Sequence, residues 1–458
     1  MRIVLSNDIR LYGVPSDLKK KIKDELTLIN PKWLENERMG RWNRGTPKLL
    51  EYFIEDKGSL SIPRGFKSNL LSLCDEKSIQ VKDLKRELKP ADFKFHGKLK
   101  GYQAKAQKII LPWDNAVLRA PTGSGKTVMG LSIIASRQQP TLIIVHTKEL
   151  LNQWKARINT FLEIPDKEIG TIGGGKKKLG EKITVGMVQS VYKIAQKISP
   201  KIGHLVIDEC HRVPSRTFYE AAIEFDSKYF LGLSATPFRR DGMTDLISWF
   251  IGPTRHEIAI QDMRDINAIT EIEFVFRCTE FRTELDAQFE YSKVIKAVTE
   301  DQIRNEMIAD DAIYESQKGK GIALVISDRK EHCHVLQKLI QDRGYECSLL
   351  IGSLKGKERE ETVNEINSGN VNIVVATGQL IGEGFDCPNL YALFITTPIR
   401  FKGRVTQYLG RILRPSKDKD HSKVYDYVDV NIPILRASGR ARAKEYKTNF
   451  NYNEKRPF

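Results

Sequence analysis

Several short runs of this chain are apolar at nearly every position, with no period-2 alternation. In the first half they are "NAVLRA" (115–120), "TLIIVH" (141–146), "ITVGMV" (183–188), "HLVIDE" (204–209) and "YFLGLSA" (229–235). Such runs predict strands covered on both faces, as in a parallel sheet flanked by crossover helices. The pattern lapses between about 258 and 320, where "EIEFVFRC" and a polar helical stretch form a connecting region. It then returns in "GIALVIS", "YECSLLI", "VNIVVAT", "LYALFIT" and "KVYDYVDV". Two successive α/β units follow, 96–257 and 258–435, behind a small α+β N-terminal domain over 1–95 and ahead of a basic tail, 436–458. Within the first domain, "SDLKKKIKDELTLI" places Leu18, Ile22, Leu26 and Ile29 on one helical face, and Asn30-Pro31 is expected to end that helix.

Length and composition narrow the class. At 458 residues, 40% hydrophobic and 29% charged, the chain has the balance of a soluble globular protein with several cores. No apolar run reaches membrane-spanning length, and the first residues lack the apolar core of a signal peptide, so a cytoplasmic protein with no membrane partner is expected. The six cysteines are scattered without a CxxC pair, which suits a reducing compartment. "HCH" at 332–334 fits no common zinc spacing and is expected on a helix. The five tryptophans are expected in cores or between packed elements. Charge changes the picture more: 74 Lys+Arg against 58 Asp+Glu gives +16 and a pI near 9.4. That excess favours a polyanionic partner, since Lys/Arg contacts release counterions from phosphate backbones. The tail holds seven Lys/Arg against two Glu, interleaved with Tyr and Phe, and reads as a nucleic-acid arm or a solvated helix.

Two motifs supply chemistry. "APTGSGKT" (120–127) lies between a strand and a helix, the context a phosphate loop requires. In the Pro121-Thr122-Gly123-Ser124-Gly125 loop, backbone N–H groups around Gly123 and Gly125, with those of the helix start, can cradle phosphate oxygens. Lys126 would reach the β/γ-phosphates of ATP, and the Thr127 hydroxyl would ligate Mg²⁺. "HLVIDECHRV" ends a buried strand in two carboxylates: Asp208 to hold Mg²⁺, and Glu209 to polarise an attacking water as general base. The water-activating Glu disfavours a metabolite kinase. "GGGKKK" (173–178) could pass for a second phosphate site but reads better as a turn bearing solvated lysines.

With those residues in place, the chain resembles the superfamily 2 helicases and translocases. "DECH" followed by "LSATPFRRDG" looks like their motifs II and III. "KGYQAKAQ" resembles the segment whose Gln, here Gln103, reads adenine. "VHTKELLNQW" is similar to motif Ia and "VGMVQSV" to motif Ic. "VVATGQLIGEGFDCPNL" resembles motif V and "QYLGRILRP" motif VI. The resemblance spans roughly 96–432 and implies two tandem RecA-like domains. It places Gly384 and Asp386 at the nucleotide, and makes Gln407, Arg411 and Arg414 catalytic, with the two arginines facing a γ-phosphate across a cleft. It assigns nucleic-acid contacts to Thr147, Gln189, Ser190, Arg240 and Thr377. Within the superfamily the XPB-like and phage branch-migration helicases look nearest. "FRRDG" is similar to a charged element those proteins carry, and "NPKW…IPRGF" resembles the front domain of phage and restriction-motor relatives. Cys210-His211 after the acidic pair, and Gln407 where a His leads motif VI, depart from the DEAD-box RNA helicases.

The expected function is an ATP- and Mg²⁺-dependent DNA helicase or translocase acting on single-stranded, forked or branched DNA in replication, recombination or repair. An RNA helicase, a non-unwinding nucleic-acid sensor and a restriction-complex motor are the alternatives. Unwinding must offset roughly 1.4 kcal/mol of stacking per base-pair step, whereas branch migration re-forms a pair for each one broken. A compact chain suits the second task.

Overall fold

The computed structural model describes the chain except residues 75–78, 213–220, 236–242, 265–269, 353, 355, 370, 379–388, 400–404, 406–407, 411, 414–418, 420, 451 and 453–458. It divides into two compact units: Met1–Ala120 with Gly125–Ile258, and Pro121–Ser124 with Ala259–Phe458. Both parallel sheets anticipated from the apolar runs are present. In the first unit, eight strands lie in the order Lys176–Lys178, Gly170–Gly173, Ile183–Met187, Thr141–Val145, His204–Asp208, Tyr229–Ser234, Asn115–Arg119 and Thr254–Glu257. Only the hairpin Gly170–Gly173/Lys176–Lys178 is antiparallel. In the second unit six parallel strands run Glu271–Thr279, His421–Asp429, Leu390–Ile395, Ile322–Ser327, Ile373–Thr377 and Ser348–Leu350. The "EIEFVFRC" run therefore belongs to the second sheet as its edge strand, paired over nine residues with His421–Asp429. Among the described residues no helix is long and apolar enough to cross a membrane.

The N-terminal residues build a five-stranded sheet, ordered Ile54–Asp56, Ser59–Pro63, Asp8–Tyr12, Arg2–Leu5, Gln80–Asp83. Alternation in Arg2–Leu5 and Asp8–Tyr12 buries Ile3, Leu5, Ile9 and Leu11 in a core that also takes in Leu246, Trp249 and Phe250. "IPRGF" is the fastening. Gly65 has no room for a side chain, because a Cβ there would stand 2.2 Å from the Ser248 carbonyl oxygen. Arg64 is buried with its guanidinium 3.8 Å over the Phe230 ring, and Nη2 donates to Asn115 Oδ1 at 3.3 Å.

Three local expectations are corrected. The first helix stops at Glu25, and Thr27–Ile29 is a strand paired with Leu49–Glu51. Asn30-Pro31 begins a helix there: Asn30 caps Pro31–Arg38 by accepting from Lys32 N at 3.0 Å, and a proline at the first position gives up no hydrogen bond. A capping Asn followed by Pro carries the same letters as a helix stop, and the new strand pair decides between them. Trp154 and Trp249 are buried, but Trp42 is 86% exposed, and Trp113 is exposed with the Arg255 guanidinium 3.5 Å over its ring. Of the arm and the solvated helix, thirdly, the described part of the tail takes the helix, but not a fully solvated one: Pro433–Phe450 is docked along one face, with Tyr446 stacked on Phe274 at 4.3 Å and Arg442 buried against Asp426 at 2.6 Å.

"HCH" lies on the helix Lys330–Asp342, where the His332 ring bonds Ser327 Oγ (2.9 Å) and Asn305 Oδ1 (2.8 Å). "GGGKKK" is the hairpin turn: Gly174 and Gly175 have φ of +57° and +83° between Gly173 and its partner Lys176. Two consecutive positive φ values make the type of tight turn that glycine permits.

Candidate nucleotide site

The site collects where parallel strands end. His204–Asp208 lies between Thr141–Val145 and Tyr229–Ser234, and Asn115–Arg119 flanks the latter. Loops leaving neighbouring parallel strands at their carboxyl ends form the crevice in which open α/β sheets bind ligands. Asp208 and Glu209, Ser234, His146-Thr147 and the 120–127 loop all leave that edge.

The loop is shaped by its glycines. Gly123 and Gly125 hold φ of +86° and +83°, and a Cβ on Gly125 would stand 2.5 Å from Gln103 Nε2. Gln103 is buried against the loop, its Oε1 accepting from Lys100 N at 2.9 Å. Lys126 and Thr127 open the twelve-residue helix Lys126–Arg137, so free N–H groups and the positive helix end meet at the turn. Lys126 Nζ donates to the Ala120 carbonyl at 3.2 Å and lies 3.9 Å from Glu209 Oε1.

Asp208 ends its strand buried. Its Oδ1 accepts from Glu209 N at 3.0 Å and its Oδ2 accepts from the indole Nε1 of Trp154 at 2.9 Å. Burial, then the adjacent Glu209 charge, pushes the Asp208 carboxyl up to about 6, against the indole hydrogen bond and the Lys126 cation. Glu209 has a φ of +49°, a left-handed conformation uncommon outside glycine and often retained at working sites. Its Oε2 lies 3.4 Å from His211 Nδ1, which is 3.0 Å from Ser234 Oγ, and its carbonyl oxygen is 3.3 Å from His146 Nε2. A buried carboxylate, a hydroxyl at a helix start, a lysine and glycine-shaped backbone together fit Mg²⁺ and a triphosphate.

The motifs give His146, His211 and Ser234 no chemical role, and Trp154 none beyond the expected core packing. Trp154 carried one usable signal. It shares the buried helical face of Leu151, Ile158 and Leu162, and an interior indole N–H needs an acceptor. Its ring also lies against the phosphate-loop helix, 3.1 Å from where a Gly130 Cβ would stand.

The remaining candidates divide. Thr147 caps the helix Lys148–Leu162, its Oγ1 accepting from Leu150 N at 3.3 Å. Gln189 is exposed and Ser190 half-buried just past the Ile183–Met187 strand, in the same unit. Thr377 ends a strand of the second unit, buried. Arg240, Gly384, Asp386, Gln407, Arg411 and Arg414 lie outside the described residues.

A pH dependence follows. A metal held by Asp208 would have to displace the proton that its carboxyl carries below about pH 6, so Mg²⁺–nucleotide affinity would rise with pH through about 6 and level off above it. Trp154→Phe removes a donor to the ionised form, so the same rise should move up by about one pH unit. Titration calorimetry between pH 5 and 8 checks both. An unmoved profile in Trp154→Phe makes the indole a packing group only.

Residues 96–239 match the family model described as type III restriction enzyme, res subunit, and residues 304–416 match the helicase conserved C-terminal domain. DNA 3'-5' translocase XPB2 of Sulfurisphaera tokodaii is 29% identical over 70% of this chain and 80% of its own length. "Putative ATP-dependent RNA helicase L396" of Acanthamoeba polyphaga mimivirus is 26% identical over 92% of this chain and 80% of its own. Among solved structures, Dbp5 of S. cerevisiae bound to RNA and ADP BeF3 shares the fold, with a TM-score of 0.55 at 14% identity over 78% of this chain and 89% of that one. Both helicase domains are matched in order along two parallel-sheet units, and the chain resembles the superfamily 2 helicases and translocases, their XPB-like members among them.

Proposed function

We propose that this protein hydrolyses ATP to move on DNA. The observation that carries the reading is the cluster at one sheet edge: Lys126 3.9 Å from Glu209, with Asp208 buried beside them. Lys126 would neutralise the β/γ-phosphates, Gln103 would read the adenine, and Glu209 would take a proton from the attacking water. Thr127 and Asp208 would hold Mg²⁺, which supplies charge neutralisation at the phosphate oxygens. Arg411 and Arg414, with Gln407, Gly384 and Asp386, would act on the same nucleotide, a reading supported by their motif positions alone. Closure on ATP and release after hydrolysis would convert turnover into steps.

The named XPB translocase relative supports DNA as the track. Thr147, Gln189, Ser190, Arg240 and Thr377 are proposed backbone contacts. The 1–95 domain is proposed as the accessory DNA-binding element: exposed Trp42 stands in a segment carrying Lys32, Arg38, Arg41, Arg44 and Lys48 against Glu35 and Glu37. Aromatics set among cations are how single-stranded nucleic acid is gripped. Branch migration or fork unwinding is the finer reading, and the named RNA-helicase relative keeps RNA as the second one. The test compares ATPase stimulation and strand displacement on ssDNA, duplex, fork, four-way junction and RNA. A response confined to RNA overturns the DNA assignment.

A further inference from the structure

The C-terminal helix Pro433–Phe450 carries its charge in an arrangement that works against its own stability. Arg436, Arg440, Lys444 and Lys447 are all exposed and follow one another at intervals of four, four and three residues. At 3.6 residues per turn they fall within an arc of about 80° and span about 16 Å of helix. Like charges at such spacing repel, and a cation near the helix start, as Arg436 is, opposes the positive end of the macrodipole. The helix has no acidic residue in its first turn, and its one acid, Glu445, is neither three nor four residues from any of the four. Among the described residues no ion pair involves them, whereas elsewhere on this unit Lys293 lies 2.7 Å from Glu290 and Lys296 3.7 Å from Glu300.

The opposite face is fixed rigidly. Arg442 is buried, with Nε and Nη2 both donating to Asp426, and Tyr446 Oη donates to the same carboxylate at 2.7 Å. Phe274 stacks on Tyr446 and packs edge-on to Phe450. A row of four cations with no ion pair among the described residues, on a helix docked by its other face, matches a regularly charged polyanion, and holding the row in place lowers the ordering cost of binding one.

We propose that the Arg436–Arg440–Lys444–Lys447 face is a nucleic-acid docking surface that grips the phosphate backbone outside the helicase motifs. This rests on the nucleic-acid reading above. The row reads charge and not sequence, so it adds affinity to every duplex alike.

The test replaces all four with Gln in the full chain and measures duplex DNA binding between 50 and 200 mM salt. Each lost phosphate contact lowers the slope of log affinity against log salt by roughly 0.9, so the slope should fall by about 3 to 4. The pairs Arg436→Gln/Arg440→Gln and Lys444→Gln/Lys447→Gln should each give about half. The control Lys293→Gln/Lys296→Gln, whose cations have acidic partners, should leave the slope unchanged, as should the quartet leave ATPase without DNA. The thermal midpoint of the quartet should equal or exceed that of the natural chain, because repulsion is relieved; a lower one redirects the test to the pair variants. A quartet or pair slope equal to that of the natural chain overturns this proposal alone. No salt-dependent binding by the natural chain removes both it and the nucleic-acid reading.

Discussion

Lys126→Ala should reduce ATP turnover by about a thousandfold or more, a loss of at least roughly 4 kcal/mol of transition-state stabilisation. Nucleic-acid binding measured without nucleotide should stay within about twofold. The size follows from the surroundings. Lys126 Nζ is anchored at 3.2 Å on the Ala120 carbonyl and faces Glu209 Oε1 at 3.9 Å, with its side chain only 11% exposed. A cation held there, largely out of water, acts on phosphate charge with little screening. Removing it also takes away a cation that holds the Asp208 carboxyl down, so that carboxyl should move further up and metal affinity near pH 6 should fall. Lys126→Met, which keeps the stem and discards the charge, should match Ala in turnover. Nucleic-acid-stimulated hydrolysis surviving in either variant would remove the ATP-motor reading.

Glu209→Gln should lower kcat by about a hundred- to ten-thousandfold while nucleotide binding is kept or strengthened. Gln has the shape of Glu and can retain the φ of +49°, so the substitution removes a proton acceptor and leaves the backbone alone. The Glu209 charge is one of the causes that raise Asp208. Its loss should bring the Asp208 carboxyl down and move the pH-dependent rise in Mg²⁺–nucleotide affinity to lower pH. The combination is diagnostic: slow chemistry with improved binding at pH 6. Equal losses in kcat and affinity would instead make Glu209 a structural acid, holding His211 at 3.4 Å and Lys126 in position.

The two parallel sheets were legible in the sequence because continuous apolar runs have few other places to go. The turn at 120–127 and the helix after it were legible because glycines at 123 and 125, a lysine and a hydroxyl form a local device whose parts are adjacent in the chain. Trp154 was not. Its neighbour Asp208 is 54 residues away in sequence, and a buried Trp at helical spacing has the same pattern whether its N–H meets a backbone carbonyl or a carboxylate at a strand end. Asn30-Pro31 misled for a related reason: the dipeptide is as good a helix start as a helix stop, and the pairing of Thr27–Ile29 with Leu49–Glu51 selects the start.

From its amino acids alone this protein is a basic, two-sheet α/β chain with a glycine-rich turn before a helix, an acidic pair at a strand end and ordered motifs that resemble those of superfamily 2 helicases. Those properties are written in local spacing and composition, which tertiary contacts do not alter. Tertiary structure decided what long-range neighbours decide: Asp208 is raised because the fold buries it beside Glu209, Trp154 holds that carboxylate, and "IPRGF" serves as a fastening. It also turned the basic tail into a helix with one buried and one charged face. The sequence contains the cations, but only packing of Arg442 and Tyr446 onto Asp426 determines which of them are left facing solvent.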